Sequence, residues 1–178
     1  VTVDLNAFQL PRPFLVIATQ VPSDTGGVFP LTLTEVDRFA AKVIVGLPGR
    51  GEELKILRAS DDLASPNIKP VTAPGQVTEL VEAAKRVRVD DSVAGYMLDI
   101  IDELRKSQVV EHLSVRASIW LYCMSRARAL MEGRDFVTPD DVKAVAPAVL
   151  RHRVVLAEGV SPEALIISVL NRVPVPRD

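Results

Sequence analysis

What this chain has little of narrows it quickly. Aromatic residues fill 4% of its 178 positions, and cysteine occurs once, at Cys123. A core must therefore be built from Val, Leu, Ile and Ala, and no disulfide can form within the chain. The two histidines, His112 and His152, are too isolated in sequence to suggest a metal site. No apolar run approaches the roughly 20 residues that cross a bilayer, and no secretory leader pattern is visible. No membrane span is expected, and a cytoplasmic location follows from these features taken together. With 21 basic and 23 acidic residues the chain has no basic excess, which argues against a nucleic-acid partner. None of its glycines is followed by lysine, so the G-x-x-x-x-G-K-[ST] phosphate loop is absent. No Ser-His-Asp or Cys-His pairing can be argued from spacing. Nothing in these residues can carry out catalysis unaided.

What is there divides in two. Hydrophobic residues at 48% and charged residues at 25% describe a folded globular chain, without repeats or low-complexity tracts. The first part is strand-like: "VTVDL" alternates apolar and polar residues, and the run at 14–18 reads as a buried strand ending in Thr19 and Gln20. The opening on Val1, inside a strand-like stretch, suggests a piece of a longer protein. Pro, Asp and paired glycines in "VPSDTGGVFP" mark a loop. A short helix around "TEVDRFAAK" and a second apolar strand at 42–46 follow.

Helices dominate afterwards. "GEELKILRA" and "VTELVEAAKRV" are short and amphipathic. In 90–107 a stripe of Val93, Met97, Ile100, Ile101 and Leu104 keeps helical period. In 114–131 the expected stripe is Ala117, Trp120, Leu121, Met124, Ala127 and Met131. Thr138-Pro139-Asp140-Asp141 and Ser161-Pro162-Glu163 are helix starts, each with a capping hydroxyl, proline at the first helical position and acid in the first turn. Val142, Val145, Ala146 and Val149, then Leu165, Ile166, Val169 and Leu170, are their expected buried faces. The fold class is a predominantly helical one: an α/β remnant followed by an all-α bundle.

Two arginines stand out. Arg38, in "VDRF", follows a short helix; alone it reads as a surface or ion-pair residue. If Ser114 caps the helix of 114–131, Arg116 lies in its first turn, where the dipole disfavours a cation. That placement suits an anion site, since free N–H groups and a guanidinium converge there. An arginine bending away into water is equally compatible with the local physics. "LDIIDEL" (98–104) superficially resembles a magnesium-binding strand, but Asp99 interrupts it and its apolar residues keep helical period.

Several segments together carry a resemblance: "LPRPFLVIATQ" (10–20), "VDRF" (36–39), "VGLPGRGEELKILR" (45–58), "SVRASIWL" (114–121), "EGRDFVTPDDVKAVAPAVLRHR" (132–153) and "RVPVP" (172–176). In this order and spacing the chain resembles the C-terminal portion of MoxR-type AAA+ ATPases. The resemblance implies that residues 1–48 end a nucleotide-binding core and that 49–178 form the helical lid. It implies ATP and magnesium, held mainly by a phosphate loop and acidic strand upstream of Val1. It makes Arg38 an arginine finger, the one catalytic position, acting across a subunit boundary. Arg116 becomes the sensor-2 residue of its own subunit, and Thr19 and Gln20 end the sensor-1 strand. Partners would be further copies in a hexamer-like ring and a client protein to be remodelled. Where relatives place the sensor asparagine this chain has Val21, and Leu33 stands where they carry an acid, which puts catalytic competence in question and turns attention to Gln20. The competing expectation is a non-enzymatic helical module, histone-fold-like or a degenerate assembly domain, since "GRDFVTPDD" between two helices fits that too.

Overall fold

Prolines and hydroxyls decide where the later helices begin. The computed structural model describes residues 2–20, 31–61, 63, 68–107, 113–154 and 161–176. Its elements are a hairpin of β1 (Thr2–Val3) and β2 (Asn6–Ala7), the single-turn α1 (Leu33–Val36), then α2 (Arg50–Arg58), α3 (Pro74–Arg86), α4 (Asp91–Lys106), α5 (Val115–Met131), α6 (Pro139–Leu150) and α7 (Pro162–Arg172). The chain is predominantly helical, as its sequence pattern leads one to expect. Ser114, Thr138 and Ser161 cap α5, α6 and α7 by accepting the backbone N–H of Arg116, Asp141 and Ala164. Each satisfies one of the donors that a helix start leaves free.

Among the described residues the core lies wholly in the later part. Val93, Tyr96, Met97, Ile100, Ile101 and Leu104 of α4 are buried, together with Val142, Ala146, Val149 and Leu150 of α6 and Ile166, Val169 and Leu170 of α7. Central to the bundle is α5, which packs on α3, α4 and α6. Its buried residues are Ala117, Leu121, Ser125 and Ala129, four apart along one line. Of the expected stripe, Trp120, Met124 and Ala127 are only partly buried and Met131 is exposed. The seam runs through small residues because these let a neighbouring helix come close. The Ser125 hydroxyl is satisfied within its own helix by donating to the Leu121 carbonyl at 2.8 Å. Past α5 the chain turns through Gly133 at φ +75°, a left-handed position where a side chain would be strained. It then pairs with the α3–α4 connection: Arg88 N–H donates to the Asp135 carbonyl and Val137 N–H to that of Arg88.

One buried ion pair organises the start of α6. Asp141, 3% exposed, takes both terminal nitrogens of Arg134 at 2.6 Å and the Thr138 backbone N–H at 2.8 Å. Burial alone would raise its pKa, but the hydrogen bonds from Arg134 and Thr138 overcome this and hold it down at about 2.

The apolar stretches at 14–18 and 42–46 behave differently from the strands expected of them. Among the described residues the only sheet is the β1–β2 hairpin, with Thr2 opposite Ala7 and Val3 opposite Asn6. A strand needs a line of N–H and C=O groups beside it. No other described segment offers such a line, so Phe14, Leu15, Val16, Ile17, Val43, Ile44 and Val45 are all exposed. That is far more apolar surface than scattered single residues account for.

Asp141→Ala is expected to cost about 3 kcal/mol in chemical denaturation, because it leaves the Arg134 guanidinium without its partner and α6 without its capping box. Sedimentation velocity on the isolated chain should show concentration-dependent self-association. The double substitution Ile17→Glu and Val45→Glu should shift it toward monomer while leaving the helical circular dichroism unchanged.

Candidate functional site

The segment following α1 is fastened to the helical bundle through one carboxylate. Asp37, at the C-terminal end of α1, is mostly shielded from water and faces three donors from two distant places in the chain. The Ser114 hydroxyl lies 2.8 and 3.0 Å from its two oxygens, the Arg116 Nη1 is 3.1 Å from Oδ2, and the Arg153 Nε is 3.1 Å from Oδ1. Burial works to raise its pKa, yet the hydrogen bonds of Ser114 and Arg116 and the charge of Arg153 outweigh it and lower it.

Arg153 is the other half of this node. Its side chain is 1% exposed. All five N–H donors are used: Nε on Asp37 Oδ1, Nη1 on the Ala40 and Val149 carbonyls, and Nη2 on the carbonyls of Asp37 and Phe39. Burial pulls its pKa down and the Asp37 charge opposes that. The sequence places it well for this. It lies just past the end of α6, where a cation meets carbonyls the helix leaves free, and its bond to Val149 caps one of them. Beside it the His152 Nε2 lies 3.1 Å from the Phe39 carbonyl; that oxygen can only accept, so Nε2 carries the proton. Lys42 N–H donates to the Ala148 carbonyl at 2.9 Å. Residues 37–42 are thus bound to the end of α6 along most of their length.

The four residues singled out in the sequence fall into two groups. Thr19 and Gln20 line a cleft of about 360 Å³ with Phe39, Lys42, Val43 and His152. Arg38 and Arg116 do not line it. Arg116 belongs to the Asp37 node instead, and Arg38 adjoins that node only through the chain. Arg116 occupies the first turn of α5, and Asp37 supplies there the negative charge that the helix start and the guanidinium both favour. Its side chain stays half exposed, so donors remain for a further anion. Arg38 is exposed, and among the described residues its side chain makes no hydrogen bond or ion pair; only its backbone N–H is held, by the Glu35 carbonyl at 3.2 Å. Val21 and His112 lie outside the described residues. "LDIIDEL" is in α4 with Asp99 and Asp102 exposed. No cluster of His, Cys, Asp or Glu among the described residues could hold a metal ion, and no helix among them is long and apolar enough to cross a membrane.

Asp37 and Arg153 escaped the sequence reading. An aspartate beside a more conspicuous arginine drew no notice, and its partners lie 77 to 116 residues away. The available signal was a second arginine in "LRHR", immediately after a helix end and followed by valines.

Matches to known proteins bear on the class of protein. Residues 105–168 match the AAA lid domain, and residues 1–41 match the ATPase family associated with various cellular activities. The chain is 36% identical over 192 residues to the Chaperone MoxR1 of Mycobacterium tuberculosis, covering 99% of this chain and 51% of that protein. It is also 36% identical over 184 residues to YeaC of Bacillus subtilis, covering 57% of it. A crystal structure of a protein assigned as an ATPase from Cytophaga hutchinsonii superposes with a TM-score of 0.87 at 27% identity, over 99% of this chain and 58% of that one. The chain therefore spans about half the length of the curated relatives it matches. The lid-domain match over the bundle and the ATPase-family match before it support an AAA+ class for this chain. Within that class the matches support a C-terminal portion of the MoxR type. The histone-fold-like alternative is not favoured, since "GRDFVTPDD" lies inside the lid match.

His152 makes the site sensitive to acid. Burial first, then the neighbouring Arg153, lowers its pKa to about 4, whereas an unfolded histidine titrates near 6.5. Between those values the unfolded chain binds the extra proton, so stability is fully present above pH 6.5 and falls as pH drops toward 4. A shift of this size corresponds to roughly 3 kcal/mol. Urea titrations across that window should show the loss, and His152→Gln should flatten it.

Proposed function

We propose that this chain is the sensing and lid portion of a ring-forming ATP hydrolase that remodels partner proteins. The single observation that carries this is the Arg116 guanidinium, half exposed at the N-terminus of α5 and held by Asp37, with exposed Arg38 next to that aspartate in the chain. A guanidinium with spare donors at a helix start is a phosphate-binding arrangement. Arg116 would contact the terminal phosphate of ATP bound in its own subunit. Arg38, exposed and without a side-chain hydrogen bond among the described residues, would reach the nucleotide of a neighbouring copy and stabilise the charge that develops there; such fingers are worth about 10³–10⁵ in rate. Thr19 and Gln20 would face the same phosphate from the core side. Gln20, with both an N–H donor and an oxygen acceptor, would orient the attacking water.

In this reading residues 1–48 complete a nucleotide-binding core and 49–178 form its lid. ATP and magnesium would be held mainly by residues beyond this chain, since its sequence has no phosphate loop. The ring would be a homo-oligomer, hexamer-like and cytoplasmic, with a client protein as its substrate. The name Chaperone MoxR1 of one relative supports remodelling as the task.

In the full-length protein, Arg38→Ala should lower ATP turnover by about 10³-fold, and Arg116→Ala should lower it by at least tenfold. Unchanged turnover in both variants would reject the assignment. Isothermal titration of the isolated chain should detect no tight ATP binding, and a micromolar Kd would contradict the proposal.

A further inference from the structure

We propose that Arg153 is a positioning residue for Arg38, and that through Asp37 it ties the finger to the lid rather than to the core. The proposal rests on the reading of Arg38 as a finger acting on a neighbouring copy. Its basis is where the Arg153 donors go. They take the carbonyls of Asp37, Phe39 and Ala40, which bracket Arg38 on both sides, and the Asp37 carboxylate next to it. The same guanidinium holds the Val149 carbonyl of α6. A planar fork with every donor committed fixes the backbone on both sides of residue 38 relative to the end of α6. Among the described residues the Arg38 side chain makes no hydrogen bond, and its base is fixed.

The same carboxylate accepts from Arg116 in α5. Arg116 uses only Nη1 on Asp37, so in this reading its remaining donors take the terminal phosphate while the Asp37 contact persists. Any movement of α5 or α6 that follows capture of a phosphate by Arg116 is carried to the Arg38 backbone through Asp37 and Arg153. A nucleotide bound in one subunit thereby sets the finger presented to the next.

The test uses the full-length, assembled protein. Arg153→Lys keeps the charge but cannot make the five-bond fork. It is expected to leave the Kd of a fluorescent ATP analogue within threefold, to lower kcat at least tenfold, and to change KM by less than threefold. Mixed assemblies supply the readout that a merely structural role would not move. Subunits that cannot hydrolyse ATP but keep Arg38 and Arg153 should restore hydrolysis at the sites of the Arg153→Lys subunits. Wild-type turnover, or a loss that mixing does not restore, would overturn the proposal. Should Arg153→Lys lose the helical signal, Asp37→Asn, which is nearly isosteric, is held to the same three measurements. Arg38→Ala runs alongside. If it keeps wild-type turnover, the finger reading fails and this proposal with it. If it loses turnover and is rescued by mixing while Arg153→Lys is unimpaired, only the positioning role fails.

Discussion

The bond network between Arg153 and residues 37–40 is the constraint on which the rest of the site depends. A guanidinium withdrawn from water must have its donors met, and here five acceptors do so. Four of them belong to one short stretch that has no buried hydrophobic residue of its own. That stretch has only a single helical turn, α1, to organise it. Its shape is imposed by the arginine, and with it the positions of Asp37, Arg38 and the Phe39–Lys42 wall of the cleft. Ser114 and Arg116 then add the start of α5 to the same carboxylate.

Most of the bundle could be read from the sequence. The period of α4, the proline starts of α6 and α7 and their hydroxyl caps are local signals, and local signals survive into the fold. Where the reading slipped, the cause was tertiary. The face of α5 is apolar or small nearly all round, so period alone could not choose the seam through Ala117, Leu121, Ser125 and Ala129 over one ending at Met131. The apolar runs at 14–18 and 42–46 have the composition of strands, but a strand exists only where another lies beside it.

The site divides along the same line. Arg116 was legible because a cation in a first helical turn breaks a rule of helix electrostatics and invites an explanation. Arg38, Thr19 and Gln20 were noticed in the sequence, beside a short helix and at the polar end of an apolar run, but their roles came only through resemblance. Asp37 and Arg153 had neither route. Each is ordinary where it stands, an acid in a loop and a base at a helix end. Their meaning comes from a contact that spans 116 residues.

The fastening of residues 37–42 also bears on how the molecule comes apart. Unzipping that stretch would strand a buried guanidinium and a buried imidazole at the end of α6, beside the apolar residues Val149, Leu150 and Val154. The stretch and the bundle are thus expected to melt as one cooperative unit, while the apolar ribbon at 14–17 stands outside it. Under the proposed division, residues 1–48 and the lid follow each other in order along the chain. In the energetics of unfolding, the lid begins earlier than its first long helix, with the aspartate that precedes Arg38.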